Sequence, residues 1–205
     1  MFPPPESEAD PSGRGFSAAP GHSPEFSPDE RRILLKLAHD SILAATEGRE
    51  LDLTPPSPHL AEPRGVFTTL YHHHSLRGCV GYVLPTGSLF RAVAETARAA
   101  AFEDIRFPAL IRAEIPALEI SLSILSPLQP IRPEDIEIGR HGLLIRSGGR
   151  RGLLLPQVPQ EHGWDRTTFL EQTCRKAGLP PTAWQAGAVL EVFTAEVFGD
   201  ADVAN

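Results

Sequence analysis

The sequence predicts an α+β fold, and three features of its pattern indicate that class. Residues 65–84 and residues 142–155 each contain two β-type segments separated by a short turn-forming break, as in an antiparallel hairpin. Apolar residues at helical spacing are found in other parts of the chain. Helices and strands do not alternate strictly, as they would in a parallel βαβ protein. We therefore expect packed helices around an antiparallel sheet.

The composition is that of a globular protein without membrane segments. Hydrophobic residues make up 41% of the 205 residues, and no run of them is long enough to span a bilayer or to form a signal peptide. We therefore expect a cytoplasmic protein. The net charge of −7 disfavours sequence-independent nucleic-acid binding, which depends on excess lysine and arginine. Two cysteines are too few for a disulfide framework or a zinc module.

The first ordered element is predicted to be a helix that begins at Ser27. Residues 1–26 are rich in Pro, Ser and Gly and have little apolar periodicity, so we expect a disordered tail there. Ser27 and Glu30 form a capping-box pattern, and Gly48 is placed to end the helix. The prolines of residues 51–64 indicate an extended surface connection.

The middle of the chain is predicted to form a hairpin, a helix and a strand. The hairpin pairs residues 65–71 with residues 76–84, and its tip lies near His72 to Ser75. Apolar spacing predicts a helix over residues 88–102, and Pro108 can open a short further helix. Residues 118–126 alternate between apolar and polar side chains, which predicts a half-buried strand.

The last third is predicted to contain a hairpin, a helix and a strand. Residues 147–151, which include two glycines and two arginines, are predicted to form the hairpin turn. Asp165 caps the following helix and Gly178 ends it. Residues 188–198 form one final strand, with a bulge that reconciles two glutamates on opposite faces, and residues 200–205 form a tail.

Cys79 is the candidate reactive residue. Gly78 and Gly81 flank its strand position and remove side-chain bulk, so that a backbone or a ligand can come close. Arg77 lies two residues before Cys79 and therefore on the same strand face, where its guanidinium would favour the thiolate or hold an anionic substrate. The alternative is that Cys79 is a small buried hydrophobic residue. The sequence leaves both interpretations open.

Other polar residues qualify as partners of that cysteine. His141 or His162 could supply a base, although a surface or structural histidine is the simpler interpretation of each. Asp104 and Arg106 form either a loop ion pair or part of the same cleft.

Three further groups of residues are interpreted as structural. The histidines of residues 72–74 are expected to be incidental surface residues rather than metal ligands, and Cys174 is expected in the core. Glu161 and Asp165 straddle the start of the last helix, where capping accounts for Asp165. Phosphate-loop, dinucleotide-binding and iron–sulfur motifs are missing from the sequence, so the cofactor stays unknown and no metal site is predicted.

Several segments together resemble the AMMECR-one domain family, whose bacterial and archaeal members are called AmmeMemoRadiSam system protein A. The shared segments are LRGCVG at 76–81, DIRF at 104–107, the strand at 118–127, HGL at 141–143, GLLLPQV at 152–158 and GWD at 163–165. Val80 and Ile105 stand where isoleucine and proline are common in that family, and the histidine-rich hairpin tip is another departure. The resemblance covers residues 27–199 and implies one α+β domain of two lobes, with the cysteine motif near a cleft.

The resemblance implies partners but no known reaction. Prokaryotic members are associated by gene neighbourhood with a Memo-like protein and a radical S-adenosylmethionine protein. One hypothesis is therefore an enzyme or enzyme subunit that acts with those partners through Cys79, Arg77 and His141. Its candidate ligand-binding residues are Gly78, Gly81, Asp104, Arg106 and Glu161. The alternative is a binding or scaffold module without catalysis, and RNA binding ranks third because of the acidic charge.

Overall fold

The computed structural model describes residues 24–203, which divide into two compact units. The first unit comprises residues 24–125 and 196–203, and the second comprises residues 126–195. The helices are α1 (Pro28–Glu47), α2 (Pro58–Ala61), α3 (Leu89–Phe102), α4 (Val158–Glu161), α5 (Arg166–Lys176) and α6 (Asp200–Val203). The strands are β1 (Val66–His72), β2 (Ser75–Tyr82), β3 (Leu118–Leu125), β4 (Gln129–Pro130), β5 (Gly142–Ser147), β6 (Arg150–Leu154), β7 (Val189–Phe193) and β8 (Ala195–Gly199).

The first unit is built on a four-stranded sheet in the order β2-β1-β3-β8. The β1 strand pairs antiparallel with both β2 and β3, so β2 lies at an edge of the sheet. Alternate residues such as Leu70, Ile120 and Leu122 are buried in one apolar cluster with residues of α1 and α3. The residues between them, which include Thr69 and Cys79, therefore belong to the opposite face of the sheet.

Helix α1 begins where the capping pattern predicts. Ser27 and Glu30 make both hydrogen bonds of the capping box, and Gly48 ends the helix in the left-handed conformation with φ of 63°. The expected disordered tail lies outside the described residues as far as residue 23. Phe26, by contrast, is buried and stacks on His59 with 4.8 Å between ring centroids, because that apolar ring gains more from packing than from solvent.

The second unit has its own sheet, in the order β4-β7-β5-β6. Helix α5 buries Phe169, Leu170 and Cys174 in a cluster with apolar residues of β5 and β7, so Cys174 is a core residue as predicted. Asp165 caps α5 through the Thr168 N–H, and Gly178 follows the helix end with φ of 69°. The mixture of helices and antiparallel sheets confirms the α+β class.

Two predicted elements are wrong, and both for reasons of tertiary contact. Pro108 opens no helix, because its carbonyl accepts a hydrogen bond from Arg77 and the next helical turn is a 3₁₀ helix at Arg112–Ala117. The predicted single strand over residues 188–198 is two strands, since β7 belongs to one sheet and β8 to the other. The break between them replaces the predicted bulge.

Smaller differences concern turns and short helices. The second hairpin turns at Gly148 and Gly149 alone, so that Arg150 and Arg151 belong to β6 rather than to the turn. Ser57 caps the four-residue helix α2 inside the proline-rich connection, which was expected to be wholly extended. Residues 200–203 form α6 where a tail was expected.

Candidate functional site

Cys79 lies in the edge strand β2, directly opposite Thr69 of β1. Its side chain is half-buried, and the Thr69 hydroxyl donates a hydrogen bond to Cys79 Sγ over 3.3 Å. Thr69 is itself buried, with 5% of its surface exposed. The thiol is therefore oriented by a fixed hydroxyl on the sheet face that does not carry the helices.

The outer backbone groups of Cys79 are capped by the side chains of Asp104 and Arg106. Cys79 N–H donates to Asp104 Oδ2 over 2.9 Å, and Arg106 Nη2 donates to the Cys79 carbonyl over 3.4 Å. Asp104 and Arg106 are joined by two parallel hydrogen bonds of 3.0 and 2.7 Å. Because β2 has no strand neighbour on that side within residues 24–203, this ion pair supplies the donor and acceptor that a further strand would supply.

Arg77 is occupied by a different carboxylate. Its Nε and Nη2 donate to the two carboxylate oxygens of Glu114 over 2.8 and 3.1 Å, and its Nη1 donates to the Pro108 carbonyl over 2.8 Å. The Arg77 side chain is only 14% exposed. The guanidinium of Arg77 therefore holds the loop after α3, and a β-bulge interrupts the β1–β2 register between Arg77 and Cys79. The role of Arg77 as the cation that activates Cys79 stays a prediction.

The pKa values agree with that division of roles. Burial raises the pKa of the Cys79 thiol, and the opposing influences of the Thr69 hydrogen bond and the Arg106 charge do not offset it. The Arg77 hydrogen bonds hold the pKa of Glu114 at about 2. Burial alone would raise the pKa of Asp104, but hydrogen bonds from Arg106 and from the Cys79 N–H lower it below its usual range. The resting site is thus a neutral thiol beside two ionised salt bridges.

Gly78 and Gly81 are required by packing inside the first unit. A Cβ on Gly78 would lie 2.1 Å from the Ala100 carbonyl oxygen of α3, and a Cβ on Gly81 would lie 2.3 Å from Phe67 Cδ1. Close approach of neighbouring chain therefore accounts for both glycines without a ligand.

The loop after α3 is fixed at several points yet displays apolar side chains. Leu110 is buried and its N–H donates to the Ala101 carbonyl, while the Ile111 N–H donates to Glu114. Ile105 is nevertheless 99% exposed and Ile111 is 61% exposed. We call residues 104–113 the clasped loop, because Asp104, Arg106 and Glu114 fasten it to β2.

His141 and Glu161 belong to the second unit, whereas Cys79 belongs to the first. His141 Nδ1 accepts a hydrogen bond from the Glu137 N–H, and burial lowers the pKa of His141, which keeps the ring neutral. Glu161 is exposed at the end of α4. The roles of His141 as a base and of Glu161 as a ligand-binding residue stay predictions. His162 stacks on Trp164 with 4.7 Å between ring centroids.

Sequence reasoning missed Thr69 and Glu114. Thr69 meets Cys79 only through the β1–β2 register, and Glu114 meets Arg77 across 37 residues. A turn at His73 and His74, which both have positive φ, would by counting alone pair Thr69 with Gly78. The β-bulge between Leu70 and Tyr71 shifts the partner of Thr69 to Cys79, and no local signal in the sequence predicts that bulge.

No group of three or more His, Cys, Asp or Glu side chains within residues 24–203 could hold a metal ion. His74 instead pairs with Glu119 across 3.1 Å. None of the helices in the same range is long and apolar enough to cross a membrane.

Fold and site together define a class of α+β protein in which a cysteine-bearing edge strand is clasped by an Asp–Arg loop. The AMMECR1 family model matches residues 35–198, and the chain belongs to that family. It is 44% identical over 182 residues to a protein of Methanopyrus kandleri, covering 83% of this chain and 88% of that one. It is 40% identical over 177 residues to a protein of Aquifex aeolicus, covering 82% and 91%.

A solved structure resembles the chain as well. The crystal structure of an uncharacterised protein from Pyrococcus horikoshii is 38% identical, with a TM-score of 0.66, and the match covers 82% of this chain and 89% of that one. The description of that protein assigns no activity.

Proposed function

We propose that this protein is a binding module that presents the clasped loop to a partner protein. The hydrogen bonds of two charged motif residues, Arg77 and Asp104, support this proposal. Arg77 donates its described hydrogen bonds to Glu114 and Pro108, and Asp104 accepts one from the Cys79 backbone N–H, so the described bonds of both side chains go to the loop and the strand edge rather than to the thiol. Burial raises the Cys79 pKa, which disfavours a thiolate nucleophile in the resting protein.

The clasped loop has the properties of a preorganised contact surface. Its backbone is tied to β2, α3 and Glu114, so little conformational entropy is lost when a partner docks. Ile105 and Ile111 then offer exposed apolar area, and Arg106, with a side chain 40% exposed, lies between them in sequence. Interfaces are enriched in arginine and have an apolar centre, which this loop supplies.

The partner candidates are those that the family resemblance implies. A Memo-like protein and a radical S-adenosylmethionine protein are the proteins to test first against this loop. On this proposal the chain contributes recognition, and any radical chemistry belongs to the partner.

A second candidate function is thiol-dependent catalysis with the same partners. It is favoured by the Thr69 hydroxyl, which donates to Cys79 Sγ and would stabilise a developing thiolate. The Arg106 charge also lowers the Cys79 pKa, although less than burial raises it. A partner that displaced Asp104 from Arg106 would strengthen that influence.

Binding of purified partners to loop variants tests the first proposal. Ile105→Asp places a charge at a side chain that is 99% exposed, so the fold should be unaffected. We expect the affinity for the cognate partner, measured by biolayer interferometry, to fall at least tenfold. The matched control is Ile33→Ser, which alters an exposed isoleucine of α1 and should leave the affinity unchanged.

Three outcomes separate the two functions. Equal binding by wild type and Ile105→Asp would show that the loop is not the contact. Absence of binding by the wild-type protein would remove these two partners from the proposal. If Cys79→Ala keeps partner binding but loses function in cells, the thiol-dependent candidate replaces the binding module.

A further inference from the structure

The three residues before α1 are held by side chains from distant parts of the first unit. Glu25 N–H and Phe26 N–H donate to the two carboxylate oxygens of Glu196 over 2.7 and 3.4 Å. Arg31 of α1 donates to the same carboxylate over 2.9 Å. The Phe26 ring is 1% exposed. We call residues 24–26 the strap, because backbone and side-chain contacts both fasten them to the unit.

The His59 ring of α2 lies between a carboxylate of the strap and a carboxylate of α1. Its Nδ1 is 2.8 Å from Glu30 Oε1, and its Nε2 is 3.6 Å from Glu25 Oε1. The Phe26 ring stacks on His59 with 4.8 Å between centroids and 10° between ring planes. One imidazole therefore contacts both the acidic and the aromatic side chain of the strap.

Only the protonated imidazole can serve both carboxylates. An imidazolium donates from both ring nitrogens, whereas a neutral imidazole donates from one nitrogen and carries a lone pair on the other. In the neutral state one carboxylate therefore faces a lone pair, and repulsion replaces attraction. Glu25 has the longer contact with His59 and a side chain that is 41% exposed, against 21% for Glu30, so the Glu25 contact is the one that is lost.

The other charges beside the ring do not make up for that loss. Glu62, which follows α2, is a third carboxylate whose charge acts on His59. Arg64 donates to both Glu25 and Glu62 through a single atom, Nη2. Three carboxylates thus share the Arg64 guanidinium and the His59 ring, and a neutral ring leaves them with excess negative charge. Arg64 is 7% exposed and always charged, so it keeps part of its hold on Glu25 at every pH.

We propose that the strap is a pH-sensitive device, closed while His59 is protonated and opening more often once that ring is neutral. Opening removes Phe26 from its place beside Phe198, whose ring centroid is 6.3 Å away, and exposes an aromatic ring. The hydrogen bond with Glu30 raises the pKa of His59 above its ordinary value of 6.5, and burial opposes that only in part. The stabilisation of the closed strap is therefore complete below pH 6.5 and is lost as the pH rises through the raised value. The device does not depend on the binding role proposed for the clasped loop.

Chymotrypsin cleavage after Phe26 in the full chain measures the open population, because a buried ring is cut only when the strap opens. Each rate is divided by the rate for a synthetic peptide of residues 21–32 at the same pH, which removes the pH dependence of the protease. We expect the normalised rate to rise about fivefold between about pH 6 and about pH 9, because an ion pair of this exposure is lost. Cleavage after Phe67, in the buried middle of the sheet, should not change.

Three variants locate the effect. His59→Gln keeps a hydrogen-bond donor but carries no charge, so its rate should be high at about pH 6 and vary less than about twofold with pH. Glu25→Gln removes the carboxylate that a neutral ring repels and should also abolish the pH dependence. The matched control is His39→Gln: His39 of α1 pairs with Asp200 over 2.9 Å, and its side chain is 34% exposed against 29% for His59. This control should leave the cleavage rate of the strap and its pH dependence unchanged.

Each contrary outcome overturns the proposal. A normalised rate that does not change with pH in the wild-type chain would do so, as would a pH dependence that persists in His59→Gln or in Glu25→Gln. The Glu25 variant keeps the test decisive if His59→Gln fails to fold, since Glu25 is 41% exposed. An equal rise in cleavage after Phe67 would show that pH acts on the whole unit rather than on the strap. Loss of the pH dependence in His39→Gln would assign the titrating group to the wrong histidine.

Discussion

The two hairpins of this chain use arginine in opposite ways. In the β1–β2 hairpin, Arg77 is 14% exposed and all its described hydrogen bonds go to Glu114 and Pro108 of the same unit. In the β5–β6 hairpin, Arg146 is 53% exposed and pairs with Glu191 of the neighbouring strand β7 over 2.7 Å. The first arginine is buried and fastens a loop, and the second forms a solvent-exposed ion pair within its own sheet.

The glycines of the two hairpins differ in the same sense. Gly78 is needed because α3 lies against the strand, whereas Gly148 has open space around it and serves the turn with φ of 54°. A glycine or an arginine in a strand motif is therefore not by itself a sign of a ligand site. Its contacts decide whether it holds the protein together or faces a partner.

The largest effect on stability is expected from a side chain added at Gly78 of the β1–β2 hairpin. Gly78→Ala places a methyl group 2.1 Å from the Ala100 carbonyl oxygen, and the backbone of α3 cannot move aside easily. We expect the free energy of unfolding, measured by urea denaturation, to fall by about 3 kcal/mol. Gly87→Ala is the control, because its Cβ would meet only Arg91 Cδ at 3.7 Å. A change below about 0.5 kcal/mol for Gly78→Ala would contradict the close contact between β2 and the Ala100 carbonyl of α3.

Removing the Arg77 hydrogen bonds that hold the clasped loop should lower the free energy of unfolding by somewhat less. Arg77→Ala leaves the Glu114 carboxylate and the Pro108 carbonyl without their donor, and we expect a loss of about 2 kcal/mol in the same measurement. Arg112→Ala breaks a pair with Glu47 whose arginine is 73% exposed, and should cost less than about 0.5 kcal/mol. Equal losses of unfolding free energy in Arg77→Ala and Arg112→Ala would show that the buried arginine stabilises the fold no more than the exposed one.

Acid should lower the free energy of unfolding, because Glu114 becomes protonated and its ion pair with Arg77 of the β1–β2 hairpin is lost. The pKa of Glu114 is about 2 in the folded protein, below its ordinary value of 4.5, so its contribution is complete above pH 4.5 and is lost as the pH falls towards 2. Partial exposure limits this contribution to about 1–2 kcal/mol. The difference in unfolding free energy between wild type and Arg77→Ala should therefore shrink from pH 6 to pH 3. A constant difference would contradict the ion pair.

The smallest effect on stability is expected in the β5–β6 hairpin. Arg146→Thr removes the arginine that pairs with Glu191 over 2.7 Å and introduces a residue suited to strands. Because that arginine is 53% exposed, we expect the free energy of unfolding, measured by urea denaturation at low salt, to fall by only about 0.5 kcal/mol. The loss should shrink at high salt, where ion pairs are screened. A loss of more than about 2 kcal/mol would show that Arg146 fastens its hairpin as Arg77 does.

Local signals in the sequence were sufficient for most elements but not for the site. The capping box at Ser27 and the cap at Asp165 depend on neighbours within three residues, so the helix starts could be predicted. The partner of Arg77 lies 37 residues away, and nothing in local spacing distinguishes Glu114 from Cys79 as that partner. The split between β7 and β8 depends on which sheet each strand joins, which alternation does not encode.

The pH dependence of Cys79 alkylation distinguishes a motif that builds a loop from one that activates a thiol. Cys174 is fully buried, so iodoacetamide under native conditions reports on Cys79. If the motif builds a loop rather than an activated thiol, the rate should be lower than that of a free thiol at pH 7. It should then rise with an apparent pKa above that of a free thiol, and higher still in Thr69→Val, which removes the hydroxyl donor. A rate that has already reached its plateau at pH 7 would show an activated thiol instead.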